Sequence, residues 1–354
     1  MLLLCKISPK NIDEILPGVN GPYNDQELRV RNISHWLIVY SHLYKKNNEK
    51  KYYRLANRAA DYLCSKETRP MNATYWCRNN PKKDKCNGVM GQAWVLEGLL
   101  SAKKYIHRDD CYNLAVELIN LHPFDEYKCI WNRVNVDGSY YTPDSTFNHQ
   151  LWFAAIAASI DESQINKRVI KFFNKVASKV EIYNNGVIYH ASQLGEFDVF
   201  KTTTTEKVKQ VQKLFQSRKN KKNLYSKSVG YHGFNLYAFS LLKNYFHDHA
   251  FWDSDKWHKI ISVINTSKFL EDLDKSRYGW PYNPPGIELA LACETFLQDQ
   301  KKAQQWIDRQ VKRTYCNETG NILTKNVPDV HTSSARNYEL VRLKGDYEIS
   351  IIDE

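Results

Sequence analysis

The sequence lacks the motifs that would fix its chemistry at a glance. It has no HExxH, no GxSxG, no kinase motif set and no Cys/His spacing suited to a metal ion. Its eight cysteines, at positions 5, 64, 77, 86, 111, 129, 293 and 316, include no CxxC pair. Cys77 and Cys86 flank the basic loop RNNPKKDK, whose eight residues do not match a zinc-knuckle spacing. Free thiols are the expectation there, with a Cys77–Cys86 bridge as the alternative. GVMGQ, which opens at Gly88, follows no strand and is neither GxGxxG nor GxxxxGK[ST], so it is no phosphate loop. No apolar run approaches the ~18 residues a membrane-spanning helix needs. The opening Met-Leu-Leu-Leu-Cys is too short for a signal-peptide core and has no basic stretch before it. These absences lead to the expectation of a cytoplasmic protein that uses neither metal nor cofactor and does not enter a membrane.

What is present is basic and aromatic. The 354 residues carry a net charge of +11, and 13% are aromatic, with nine Trp and 23 Tyr. Such an excess of positive charge attracts nucleic acid, anionic membranes or acidic polymers. Apart from the run RKNKK at Arg218–Lys222, the basic residues are dispersed.

Helical periodicity dominates. Around Val30–Tyr44, Ile33, Trp36, Leu37, Tyr40, Leu43 and Tyr44 recur at i, i+3, i+4 and i+7. Five helical hairpins follow from the same pattern: Val30–Tyr44 with Lys50–Cys64, Gly88–Tyr105 with Asp109–Leu121, Ser145–Ile160 with Ser163–Ser178, Gly230–Phe246 with Asp253–Leu273, and Pro285–Leu297 with Gln300–Arg313. Their first members start about 55 to 85 residues apart, as in a stacked or closed array of helix pairs. Those first members are apolar all round and the second ones amphipathic and Lys-rich, which describes an inner and an outer ring. The expected fold is all-α, an (α/α)5–6 toroid in a single domain over residues 1–354. A small β-hairpin excursion is expected at Tyr183–His190, where Asn-Gly sits between alternating residues. Thr202–Ser226 reads as a mobile loop or an exposed helix.

Each inner segment carries its polar residues at its N-terminal end, so the helix starts would share one polar rim over a dry core. In DGSYYTPDSTFNHQLW, Asp144 or Ser145 is the expected N-cap, and Asn148 and His149 fall in the first turn. The positive helix end lowers a histidine's pKa there, as a general base requires. The plainer reading makes Asp144 a cap and His149 a core histidine. In SVGYHGFNLYAF, Tyr231, His232 and Asn235 open another apolar helix, and Tyr231 could donate a proton across a cleft. In GPYNDQELRVRNISHW, Arg31 and His35 share a face, and Arg31 is suited to gripping a carboxylate. RYGWPYNPPGIELA offers Trp280 and Tyr282 as a sugar platform and Glu288 as an acid or base, or else is only a loop-to-helix corner. Gln92 would reach the cleft from the helix at Gly88. Arg336 and Glu339, three apart near the C-terminus, either close the ring or form a structural ion pair.

With these residues in place, the chain resembles the (α/α) toroid carbohydrate-active enzymes, the superfamily of six-hairpin glycosidases and alginate-lyase-like polysaccharide lyases. The lyases of this type carry Asn-Asn-His-x-x-Trp at the head of an inner helix. FNHQLW here keeps Asn148, His149 and Trp152, with Phe147 in place of the first Asn. They also carry a Tyr-His pair opening a later helix, matched by Tyr231 and His232, but the arginine before that tyrosine is absent and only Lys227 lies near. The resemblance implies that Asn148 neutralises a uronate carboxylate, His149 takes the C5 proton and Tyr231 protonates the departing glycosidic oxygen. The implied partner is an acidic carbohydrate rather than nucleic acid. The implied reaction is β-elimination, or C5 epimerisation if the proton returns. Two alternatives stand beside it. One is a glycoside hydrolase using two carboxyls drawn from Asp144, Glu288, Asp25 and Asp198. The other is a non-catalytic glycan-binding array.

Overall fold

Apolar residues at helical spacing with small residues between them build a ring of inner helices, and a second layer of amphipathic helices covers it. The computed structural model describes residues 2–190 and 218–349. The inner elements are α2 (Val30–Asn47), α4 (Gly88–Ile106), α6 (Phe147–Ala157), α9 (His232–Lys243) and α12 (Pro285–Ala292). The sixth is α14 (Val330–Ala335), continued as a 3-10 turn over Arg336–Arg342. Each packs on the next, and the 3-10 turn returns to α2, so the ring closes. α6 is buried along almost its whole length, and the run Ala154, Ala155 and Ala157 lets its neighbours approach. At α2 and α4 the approach needs a glycine: a Cβ on Gly98 would fall 2.2 Å from the Ser34 hydroxyl.

The outer helices bury one stripe each. α3 (Lys50–Leu63) turns Tyr52, Ala56, Ala59, Ala60 and Leu63 inward, and α7 (Ser163–Lys175) turns Ile165, Val169, Phe172 and Phe173 inward. This i, i+3, i+4, i+7 stripe is the signature of a helix with one face in the core. α5 (Asp109–Leu121) and α13 (Gln300–Thr314) follow the same rule. α1 (Leu2–Ile7) packs on α2. The protein is thus an (α/α) toroid, with a sixth inner element where the repeat pattern gave five clear hairpins. Among the described residues, no helix is long and apolar enough to cross a membrane.

Three boundaries differ from the periodicity. The segment expected as one helix over Asp253–Leu273 is two, α10 (Asp255–Ser262) and α11 (Ser267–Asp274). A 3-10 turn over Val263–Asn265 follows the first, and Thr266 caps the second, its hydroxyl accepting the Phe269 amide at 3.2 Å. The helix expected from Gly230 is interrupted at Tyr231, whose backbone (φ −98°, ψ 0°) separates α8 (Arg218–Gly230) from α9. The helix expected from Ser145 starts at Phe147, because Thr146 is still extended (φ −88°, ψ 117°) and stands as the N-cap.

The expected hairpin at Tyr183–His190 is a tight turn closed by an Ile182–Ile188 bridge, with Gly186 at φ 92°. A second β element was not legible: β1 (Phe124–Asp125), β2 (Ile130–Val134) and β3 (Tyr140–Pro143) form an antiparallel meander between α5 and α6. It pairs Phe124 with Trp131 and Asn132 with Pro143. Gln150 locks it to α6, accepting the Trp131 amide at 2.9 Å and donating to the carbonyls of Trp131 (2.8 Å) and Asp144 (2.9 Å).

A column of buried ions runs beneath the rim. Arg336 Nη2 contacts Glu288 at 2.6 Å, and its Nε donates to Glu339 at 2.7 Å. Arg31 pairs with Glu27 at 3.3 Å, and Arg342 pairs with Glu97 at 2.8 Å. Glu288 is 0% exposed, and burial together with the nearby Glu339 carboxyl pushes its pKa up against the pull of Arg336.

Candidate functional site

The starts of the inner helices enclose a cavity of about 200 Å³, room for roughly one sugar ring. Asn148 and His149 come from α6, Tyr231 and Phe234 from the head of α9, and Met90 and Trp94 from α4. Arg31 enters from α2 and Arg336 from the last inner element. The loop before α2 adds Tyr23 and Asp25, the basic loop before α4 adds Arg78 and Lys83, and the turn at the end of the hairpin adds His190. A wider groove of about 770 Å³ lies along Lys179–Asn185 on the outer wall, away from these helix starts.

Asp144 and His149 form a dyad. Asp144 Oδ2 lies 2.9 Å from His149 Nδ1 and also accepts the Val89 amide at 3.0 Å, while Oδ1 accepts the Thr146 amide at 3.2 Å. Burial alone would raise this carboxyl, but His149 and the two amides bring it down to about 2, so it is ionised. A buried carboxylate on Nδ1 fixes the tautomer with the proton on Nδ1 and leaves Nε2 as the acceptor. The His149 side chain is 26% exposed and lines the cavity. Asp144 is therefore not the expected N-cap. Thr146 holds that position without a side-chain bond, and Asp144 serves His149 and the start of α4 instead.

Tyr231 stands in the same cavity at the centre of an aromatic nest. Its hydroxyl bonds that of Tyr23 at 2.8 Å, and the His190 ring packs on it at 4.5 Å. Burial first, then the neighbouring phenols, raise its pKa, so it is held as a neutral proton donor. Lys227, one turn earlier in α8, places its ammonium 5.0 Å from the Tyr23 ring centre and 5.9 Å from that of Tyr231. No carboxylate faces it among the described residues. Burial, then Arg277 and Lys83, lower its pKa to about 8.

The lining is strongly cationic. Arg31, Arg78, Lys83, Lys227 and Arg336 face the cavity, and Asp25 is the one carboxylate among the described lining residues. Arg31 and Arg336 are paired behind the wall with Glu27, Glu288 and Glu339, and Arg78 with Asp84, which leaves Lys227 as the cation with no carboxylate beside it. Asp25 is held by Lys83 at 2.5 Å and by Asn80 at 2.5 Å. Three buried polar atoms of the lining have no partner: Arg31 Nε, Asn148 Oδ1 and His190 Nδ1. Buried polar groups are normally satisfied, and a water or a ligand hydroxyl in the cavity is the natural partner for them after a small side-chain adjustment.

Of the residues expected from the sequence, His149, Tyr231, Asn148, Arg31 and Tyr282 line this cavity. Tyr282 donates to Asn20 Oδ1 at 2.7 Å. Asp144 stands behind His149. The others are displaced, each for a packing reason. Gln92 is consumed by Tyr75 and by the Cys86 carbonyl, tying the basic loop to α4. Trp152 stacks between Phe234 (4.7 Å) and Tyr237 (5.4 Å) in the core. His35 is fully buried on Tyr338, with ring centres 4.1 Å apart. Asn235 is buried beneath the rim. Trp280 faces α13, with Arg313 over its ring at 4.5 Å and its Nε1 on Asp274. Glu288 is enclosed with Arg336 and cannot reach a substrate. His232 accepts the Ile188 amide at 3.2 Å and donates to the Ile260 carbonyl at 3.2 Å, so it secures the turn that presents His190. Asp198 lies outside the described residues, as does Thr202 to position 217 of the polar stretch. Cys77 and Cys86 are free thiols, not a bridge.

Four lining residues carried only faint sequence signals. Tyr23 sits beside Asp25 in GPYND, Lys83 in the loop noted for its cysteines, Lys227 where an arginine was sought, and His190 at the end of the hairpin.

No family model matches the sequence. Among solved structures the chain is similar to cellobiose 2-epimerase of Bacillus thermoamylovorans B4167. Identity is 11% and the TM-score 0.59, over 96% of this chain and 95% of that one. A D-mannose isomerase aligns with 12% identity and TM-score 0.58, over 96% of each chain. An α-1,6-mannanase of Salegentibacter sp. HEL1_6 aligns with 11% identity and TM-score 0.53, over 96% of this chain and 97% of that one. At such identities the likeness is one of fold, the (α/α) toroid. The sequence itself is 35% identical over 355 residues to archaeal glycosylation protein Q of Haloferax volcanii, covering 97% of this chain and 95% of that protein. The chain belongs to the family of archaeal glycosylation protein Q.

Proposed function

We propose that the protein is a carbohydrate-active enzyme that abstracts the C5 proton of a uronate residue. The observation that carries this reading is the meeting of the Asp144–His149 dyad and Tyr231 in one cavity lined by five cationic side chains. A uronate brings a carboxylate that those cations and the Asn148 amide can hold, and withdrawal of its charge acidifies the adjacent C–H bond. His149 Nε2 takes that proton while Asp144 stabilises the imidazolium that forms. Lys227 and Arg31 stabilise the negative charge that develops on the carboxylate. Tyr231 then protonates either the departing glycosidic oxygen, giving β-elimination, or C5 from the opposite face, giving the epimer.

The kinship with a glycosylation protein favours the second outcome, because epimerisation leaves the glycan intact. The hydrolase reading is weaker. Hydrolysis needs two carboxyl groups astride the bond, ~5–9.5 Å apart. Asp25 is the single carboxylate among the described residues lining the cavity, and it is already ion-paired. The eight free thiols accord with a reducing, cytoplasmic compartment, and we take the chain to act as one (α/α) domain.

The test is incubation with uronate-containing oligosaccharides in deuterated water, read by NMR and by ultraviolet absorbance of an unsaturated uronate. Deuterium at C5 or a new double bond, lost in His149→Ala, is expected. If neither appears on any uronate substrate and His149→Ala matches wild type, the proposal fails.

A further inference from the structure

The inner helices are parallel in sense, so the toroid has a second mouth where their C-terminal ends gather. A cavity of about 380 Å³ opens there, lined by the ends of α4, α6 and α9 and by the last inner element. Its base is the Glu97–Arg342 ion pair at 2.8 Å. Glu97 is buried, its charge met by Arg342 and more weakly by the Tyr338 hydroxyl; its Oε2 makes no well-formed hydrogen bond, and neither does Ser101 Oγ or Arg342 Nε. All three belong to residues lining this one cavity. Leaving buried groups unsatisfied is unfavourable, and a cluster of three around one space points to a ligand. Tyr105, Tyr112 and the 47%-exposed Tyr245 line the cavity too, as do Lys103, which is paired with Asp109, and Lys104.

We infer that this second mouth is a binding site for a neutral saccharide unit, separate from the catalytic cavity and independent of the chemistry proposed there. The orphaned atoms choose the ligand class. A carboxylate oxygen requires a donor, a guanidinium N–H requires an acceptor, and the serine hydroxyl accommodates either. A hydroxyl group supplies both roles, and a pyranose presents several in fixed geometry. Inorganic phosphate brings one or two O–H donors beside its acceptors, and Lys103 and Lys104 attract it, but its charge would meet the Glu97 carboxylate at the base and the negative ends of the surrounding helices. A purely apolar ligand would leave all three atoms unsatisfied. The tyrosine rings give apolar faces against which the C–H face of a sugar packs. A glycan-acting protein with sites at both mouths would hold a non-reacting sugar unit on the face opposite the reaction.

The test is saturation-transfer NMR with the methyl glycosides of glucose, mannose and galactose. It is run on the double variant His149→Ala with Tyr231→Phe, which cannot turn the sugar over, and substitutions at the second mouth identify which cavity reports. At least one glycoside should give a transfer signal. Adding Ser101→Ala should weaken it about tenfold, adding Tyr245→Ala should do the same, and inorganic phosphate should not compete. Circular dichroism checks that each variant is folded. The inference is overturned if no glycoside binds the cavity variant, if both second-mouth substitutions leave the signal unchanged, or if phosphate displaces the sugar.

Discussion

Asp144 Oδ2 and His149 Nδ1 are 2.9 Å apart, and the same carboxylate oxygen accepts the first free amide of α4 at Val89. Two inner helices therefore share one carboxylate. The arrangement needs Gly88, whose φ is +61° and where a Cβ would stand 2.2 Å from that oxygen. Gly88→Ala should displace Asp144 and lower activity, with backbone strain of about 1–3 kcal/mol as well. Asp144→Asn keeps the shape but removes the charge that fixes the tautomer. Its kcat should fall roughly 10²–10⁴-fold, with thermal melting lowered as well because the depressed carboxylate stabilises the fold at neutral pH. Steady-state kinetics beside calorimetry checks both; an unchanged kcat in Asp144→Asn would remove the dyad from the mechanism.

The phenol pair separates an acid from its support. Tyr231→Phe deletes the proposed proton donor and should reduce turnover by two or more orders of magnitude. Tyr23→Phe removes one hydroxyl bond to Tyr231 and about 1 kcal/mol of stability, so its turnover should fall only several-fold. Equal losses in the two variants, measured as kcat, would argue that neither phenol transfers the proton.

Lys227 predicts a pH dependence. Its lowered pKa, about 8, means that the ammonium is present below that value and is lost as pH rises through it. Binding of an anionic substrate and stabilisation of the charge that develops on it should both weaken over the same range, seen as kcat/KM declining. Lys227→Met should lower kcat/KM at neutral pH and flatten its alkaline dependence, and Lys227→Arg should keep the charge to higher pH. A kcat/KM that ignores both pH and Lys227→Met would contradict a carboxylate-binding role.

The buried ion column makes a stability prediction. The unfolded Glu288 carboxyl releases its proton near its ordinary 4.5, whereas burial and Glu339 keep the folded group protonated to higher pH. The folded state then binds more protons, so stability falls as pH rises above 4.5 through the raised value and levels off beyond it. Glu288→Gln should flatten that decline, gaining on the order of 1–3 kcal/mol at alkaline pH. Arg336→Met should instead destabilise by about 3–5 kcal/mol, because it leaves buried carboxyls unpaired. Denaturant titrations across pH give both values.

What was legible in the sequence was what repeats. Apolar periodicity located the segments of the five hairpins and the polar rim, though not the break at Thr266, because a helix facing the core on all sides has no other composition available to it. The sixth inner element was not seen as a full repeat. Val330–Arg342 is a short helix and a 3-10 turn held by Arg336 rather than by an apolar stripe. The meander at 124–143 escaped because its strands are two, five and four residues long. At the site, position in the first helical turn placed Asn148 and His149 correctly on the rim. The same logic misplaced Gln92, His35 and His232, because a polar residue at a helix start serves a neighbouring backbone as readily as a cavity. Nothing local marks His190 or Lys83 as lining residues. They reach the rim through a hairpin pinned by His232 and through a loop fastened by Gln92.

The central claim is that His149 removes a carbon-bound proton beside a carboxylate. A kinetic isotope effect on a uronate substrate deuterated at C5 tests it most directly. Turnover of the deuterated substrate slower than that of the protiated one, with the effect growing in Asp144→Asn as proton transfer becomes slower, is the predicted result. Product formed at identical rates from both substrates with C5 deuterium fully retained would contradict the account and point to chemistry at another bond.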